Sequence, residues 1–330
     1  MPGFAPRARE RSRRVQNTEL RPLGAGEMLD RAITLYVRRF ALIVTVLAVV
    51  SVPIVLLEAL TVPQSAHMFS DLGRMMAAGA NGAASQRAAD QFARDNTMTP
   101  LGMLVLFGAS GARLLMWCAI LAVVAAAYAG IETSVGAAYR LALRRWAPLL
   151  VVTLAFAILG MFCAIPVFVL YFLVIVAIVA LAALHQVVAT VVVTIVGVLV
   201  VIAGLAVVGS LAFMSYELAA VAIVTETGNP VEAIGIGLRR ALAPGMKRRT
   251  LVAGLVMLLL SQLGAVPILA LAAVATALTR VDALYFAVIG VGTVLLDGLV
   301  ASFAVVYAVD VRVRREGFDI VLPETPPVPA

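Results

Sequence analysis

Val187-Val188-Ala189-Thr190-Val191-Val192-Val193-Thr194-Ile195-Val196-Gly197-Val198-Leu199-Val200-Val201-Ile202 opens an apolar run that continues to Val224 and holds one ionisable side chain, Glu217. A helix needs roughly 20 apolar residues to cross a hydrocarbon core about 30 Å thick, so this run reads as a membrane span. Five more stretches of the same kind flank it, at about 40–60, 101–129, 147–183, 250–278 and 283–310. The composition agrees: 63% of the 330 residues are apolar and 13% are charged. A soluble domain has about half and a quarter respectively, and a disordered chain has far fewer apolar residues. The fold class predicted is therefore all-α, a polytopic transmembrane helical bundle of about six spans.

Two of the runs, 147–183 and 187–224, exceed one straight perpendicular crossing. They can tilt, kink or project, and Pro166 after Gly160 is the natural place for a kink in the first. Splitting both would give eight spans. That alternative requires turns at membrane depth with almost no polar residues to satisfy their backbone, which favours six.

Charge orients the spans. With the N-terminus in the cytoplasm, inner segments hold nine Arg in 1–39, three in 130–146, five Lys/Arg in 225–249, and Arg312, Arg314 and Arg315. Outer segments hold Arg74, Arg87, Arg94 and Arg280. This asymmetry predicts a multi-pass protein of the plasma membrane with both termini cytoplasmic. Residues 1–20 read as a disordered basic tail and 321–330 as a Pro-rich tail. Ser12-Arg13-Arg14 is a weak match to a twin-arginine export signal, because the apolar run begins about 25 residues later and more spans follow.

A basic amphipathic segment precedes each outward span. Gly26–Phe40 places Leu29, Ile33, Tyr36 and Phe40 on one helical face and ends in Arg38-Arg39. Glu132–Trp146 ends in Arg144-Arg145, and Glu226–Arg240 ends in Arg239-Arg240. The predicted unit is a short cytoplasmic interfacial helix followed by a helix hairpin. It occurs three times, at about 26–129, 131–224 and 226–310, within a membrane domain covering 21–320. The arginine pairs, together with Lys247, Arg248 and Arg249, are candidate contacts to anionic headgroups or to a protein partner in the membrane. Because the basic residues sit beside apolar runs, lipid is the expected counterion and nucleic acid is not.

Leu20-Arg21-Pro22-Leu23-Gly24-Ala25-Gly26-Glu27-Met28-Leu29-Asp30-Arg31-Ala32, followed by Leu35-Tyr36 and the Arg pair, resembles the opening of the membrane domain of glycerophosphoryl diester phosphodiesterases. Val311-Arg312-Val313-Arg314-Arg315-Glu316-Gly317-Phe318-Asp319 resembles the end of that domain. The resemblance covers roughly 20–320; stand-alone members of this type are common in actinobacteria, and the Ala/Val/Arg-rich composition suits such a source. It implies a membrane domain without the activity, since in the two-part enzymes hydrolysis belongs to a separate soluble barrel with acidic metal ligands and a histidine pair. About 20 residues follow the last apolar run, too few for that barrel.

The chemistry-bearing residues point the same way. His67 and His185 are the only histidines and lie far apart, so a histidine-based metal site is not expected. Cys118 and Cys163 lie inside apolar runs and read as buried small residues. No phosphate loop, nucleotide-binding glycine motif or nucleophile elbow is present. No enzymatic activity and no cofactor are expected.

Ionisable groups inside spans are costly and draw attention to themselves. Arg113 and Asp297 each lie about 12–14 positions from the outer end of their spans, which predicts equal depth and a direct pair. Glu58 near the outer end of its span and Glu217 after Ser215-Tyr216 are candidate members of a polar pathway, with Glu217 facing a water-filled cavity or Arg113. Asp310 is expected to pair with Arg312 or Arg314. Gly108, Gly111, Gly290 and Gly292 are candidates for close helix packing. Two functions follow: a non-catalytic scaffold organising lipid or a partner at the cytoplasmic face, or a transporter or channel-like component using Arg113, Asp297 and Glu217.

Overall fold

A computed structural model describes residues 23–61, 86, 90, 100–279 and 282–316. The tails 1–20 and 321–330, His67, Arg74, Met75, Met76, Arg87, Arg94 and Arg280 lie outside the described residues. The described residues form helices and no strands. In chain order these are α1 (Ala25–Arg38), α2 (Phe40–Thr61), α3 (Pro100–Tyr128), α4 (Val135–Ala183), α5 (Val187–Thr225), α6 (Pro230–Leu242), α7 (Lys247–Thr279) and α8 (Asp282–Glu316). Six of them, α2, α3, α4, α5, α7 and α8, are long and apolar enough to cross a membrane. The chain is thus an all-α, multi-pass membrane protein.

The two longest runs are each one unbroken helix, α4 of 49 residues and α5 of 39, so neither is split. The turn between them is short: the His185 and Gln186 N–H groups donate to Ala182 and Leu181 carbonyls, closing the end of α4. His185 occupies the left-handed region at φ 57°, an unusual place for a residue with a Cβ.

Of the three predicted interfacial helices, α1 and α6 are separate elements. The second is not: its residues from Val135 onward are the first turns of α4. The change from charged to apolar residues near Trp146 alters what surrounds the helix, not its backbone. Tyr139 also ties this segment down by donating its hydroxyl to the Val46 carbonyl at 2.6 Å.

The described chain forms two compact units. The first gathers the described parts of Met1–Arg38, Val152–Gly254 and Ser302–Ala330; the second holds Arg39–Val151 and Leu255–Ala301. Each unit mixes segments from all three sequence repeats.

In the first unit α6 packs on α5. Its buried face is small, made of Ala233, Gly237 and Ala241 with Arg240. A Cβ on Gly237 would collide with the Ser215 carbonyl, so glycine permits this backbone approach. Asn229 caps α6 by accepting the Val231 N–H at 3.0 Å, and Pro230 occupies the first turn, where its missing N–H costs nothing. Burial along α5 is graded. From Val187 to Phe213 most residues are partly or fully exposed, whereas from Met214 to Val224 all but Tyr216 are buried.

In the second unit α2 packs on α3, and the edge-to-face pair Tyr285–Phe286 (5.5 Å between rings) anchors a cluster with Ala272, Val55 and Ala59. Gly290 and Gly292 lie against Val55 and Ile268, as close packing requires. Gly108 and Gly111 face open space instead, so those two do not serve helix contact.

Candidate functional site

The second unit contains an ion pair between two spans, and it is not the one expected. Arg113 Nη2 on α3 donates to Glu58 Oε1 on α2 at 2.7 Å. Glu58 is nearly buried, while half of the Arg113 side chain is exposed. Asp297 makes no ion pair with Arg113, although it lies within electrostatic reach of it. Depth along a span does not say which helix faces meet: α2 packs on α3 and brings Glu58 within hydrogen-bond distance of Arg113.

The first unit contains a denser network where α1, α6, α7 and α8 converge. Asp310 of α8 is buried and accepts the Leu23 N–H at 2.7 Å, Arg314 Nε at 2.9 Å and, more weakly, Arg249 at 3.5 Å. The Leu23 carbonyl accepts from Arg249 at 2.6 Å and Arg314 at 2.8 Å. The backbone of Leu23, just before α1, is therefore held through both its N–H and its carbonyl by α7 and α8. The expectation for Asp310 is met by Arg314; Arg312 instead approaches Glu226 at 3.8 Å.

Glu226, just after α5, takes a two-pronged contact from Arg240 at 2.7 and 2.8 Å. That planar match of guanidinium and carboxylate is the strong form of an ion pair. Behind it, Thr250 donates to the Ala241 carbonyl at 2.9 Å. Its single proton is then spent, so the Tyr307 hydroxyl donates to Thr250 at 2.8 Å.

Beside this network lies an open cavity of about 250 Å³ lined by Ile236, Arg239, Arg240 and Arg315. Arg315 reaches back to donate to the Arg239 carbonyl at 2.9 Å, and Arg239 Nε donates to the Gly235 carbonyl at 3.1 Å.

The predicted headgroup contacts therefore divide. Arg38, Arg144, Arg239, Lys247 and Arg248 are exposed, Arg39 and Arg145 are half-buried, and none of these makes an ion pair among the described residues. Arg240 and Arg249 leave that group, because Arg240 is buried against Glu226 and Arg249 serves Asp310 and Leu23. Glu217 is fully buried within the first unit. Arg315 and Glu226 carry the network yet were not expected to. Seventy-six positions separate Arg315 from Arg239, and no sequence periodicity links them.

Among the described residues no group of three or more His, Cys, Asp or Glu is arranged to hold a metal ion. No family model, curated protein or solved structure matches the chain.

Proposed function

We propose that this is a non-catalytic protein of the plasma membrane, with both termini cytoplasmic, that organises anionic lipid or an acidic membrane partner at its arginine-rich face. One observation carries the reading. Asp310 and Glu226 are spent on internal pairs, while Arg38, Arg144, Arg239, Lys247, Arg248 and Arg315 are exposed without an ion-pair partner among the described residues. On the positive-inside reading, the helix ends that bear them belong to the cytoplasmic side. Each such cation near an anionic membrane surface contributes about 1 kcal/mol.

Two further observations are consistent with it. α1 buries Met28 and Ala32 but exposes Ile33 and Val37, a face suited to the headgroup boundary. The likeness to the membrane domain of glycerophosphoryl diester phosphodiesterases fits a lipid-facing role without hydrolysis.

The test is extraction from native membranes in polymer-bounded discs, followed by lipid mass spectrometry. Enrichment of anionic lipid over the bulk membrane, lowered when the six cations are changed to Gln, is the expected result. A lipid shell identical to the bulk would sink the reading. The alternative, a transporter or channel-like component, draws on Glu58 and Arg113 paired within spans with Asp297 near them. It predicts ion or proton flux in proteoliposomes that E58Q and D297N abolish.

A further inference from the structure

We propose that Arg239 and Arg315, with Arg240 and Ile236 completing the walls, form a discrete pocket for one phosphate group where α6 meets the end of α8. The proposal deepens the reading above by naming the site and the ligand chemistry, and it can fail while that reading stands. Among the described residues, three guanidinium-bearing residues and no carboxylate line the cavity. Glu226, the acid nearest to it in the network, is already matched to Arg240 through both oxygens. Neither Arg239 nor Arg315 has an ion pair among the described residues.

Both arginines are pre-positioned. Arg315 is tethered through one nitrogen to the Arg239 carbonyl, and Arg239 through Nε to Gly235. The remaining N–H groups of each are left for a ligand, with part of the side-chain ordering already accomplished by the fold. Both side chains line one cavity, and an anion bound between two cations offsets their mutual repulsion. Guanidinium forks match phosphate oxygens in pairs, which a halide or a single carboxylate cannot exploit as fully. At about 30 Å³ per water, a volume of 250 Å³ accommodates a phosphate with several waters. Ile236 supplies an apolar wall for the carbon carrying the phosphate. A phospholipid headgroup and a soluble phosphate share this chemistry, so the test separates them.

Full-length protein is placed in nanodiscs of phosphatidylcholine alone and in nanodiscs that also contain phosphatidylglycerol. Native mass spectrometry reads retained lipid, and calorimetry reads binding of inorganic phosphate to the first preparation. Phosphatidylglycerol retained without phosphate binding assigns the pocket to a lipid headgroup; phosphate binding without lipid retention assigns it to a soluble phosphate. In either case R239Q and R315Q weaken the interaction at least tenfold, R239K with R315K weakens it several-fold because the fork is lost, and R140Q, distant in sequence, leaves it unchanged. Absence of both ligands, or equal binding by wild type and the pocket variants, overturns the proposal. Anionic lipid enrichment that survives R239Q and R315Q overturns the pocket alone and leaves the broader reading in place.

Discussion

Glu58 and Arg113 sit 55 positions apart in sequence and form a 2.7 Å hydrogen-bonded ion pair between neighbouring spans α2 and α3. Removing one partner leaves a charge in a poorly solvated place, which costs more than removing both. Because Arg113 is half exposed, the cost of E58Q is moderate, about 1–3 kcal/mol. Thermal unfolding in detergent should show a larger loss for E58Q than for D297N, and E58L with R113L should recover part of it. Equal losses for E58Q and D297N would restore Asp297 as the main partner.

The contact between α5 and α6 gives a second expectation. G237A drives a methyl into the Ser215 carbonyl and Ala219, both backbone-constrained, and should lower stability by roughly 1–3 kcal/mol. G235A, two positions away, meets open space and should be neutral or stabilising by up to about 1 kcal/mol, since alanine favours helix. Chemical unfolding of the pair separates the two; similar behaviour would contradict the close approach.

Asp310 holds the entry of α1. D310A removes the acceptor for the Leu23 N–H and leaves Arg249 and Arg314 facing each other, at a cost of about 3–5 kcal/mol for a buried group. Limited proteolysis should then cut within residues 23–39 well before global unfolding. D310N, which keeps a carbonyl acceptor, should protect that segment partly.

Tyr36 on α1 has its phenol pushed above the ordinary value of 10.0 by burial. The neutral form is thus favoured in the fold, and its contribution is complete below the unfolded value. It is lost as pH rises through the folded one. Y36F should raise the pH at which alkaline unfolding begins, without effect at pH 7; an unchanged alkaline midpoint would show that Tyr36 does not contribute.

What the sequence made legible was the fold. Six apolar runs became six long helices with ends within a few residues of the hydropathy boundaries, apart from the start of α4 and the end of α8. Hydropathy succeeds here because lipid solvation acts on each segment by itself. It says nothing about which helix faces meet, and the packing of α2 on α3 decided that Arg113 meets Glu58. The pattern of basic segments likewise gave the helices α1 and α6, but not the continuity of α4 through Trp146, where Pro148 is a local breaker that the helix runs past. The network at Asp310 and Glu226 depends on side chains from distant segments converging, which no local spacing encodes.

The graded burial of α5 acts as a ruler for the bilayer. The helix as a whole is apolar enough to be counted as a span, a length of about 58 Å for its 39 residues. Even at 40°, the upper end of common inclinations, that projects onto about 44 Å of the membrane normal, against a hydrocarbon slab of about 30 Å. The stretch 187–213, where side chains are open, measures about 40 Å and projects onto about 31 Å at the same inclination. The last turns, sheathed by other helices, can stand clear of the acyl chains without meeting water, so hydropathy overstates how much of this polypeptide is immersed.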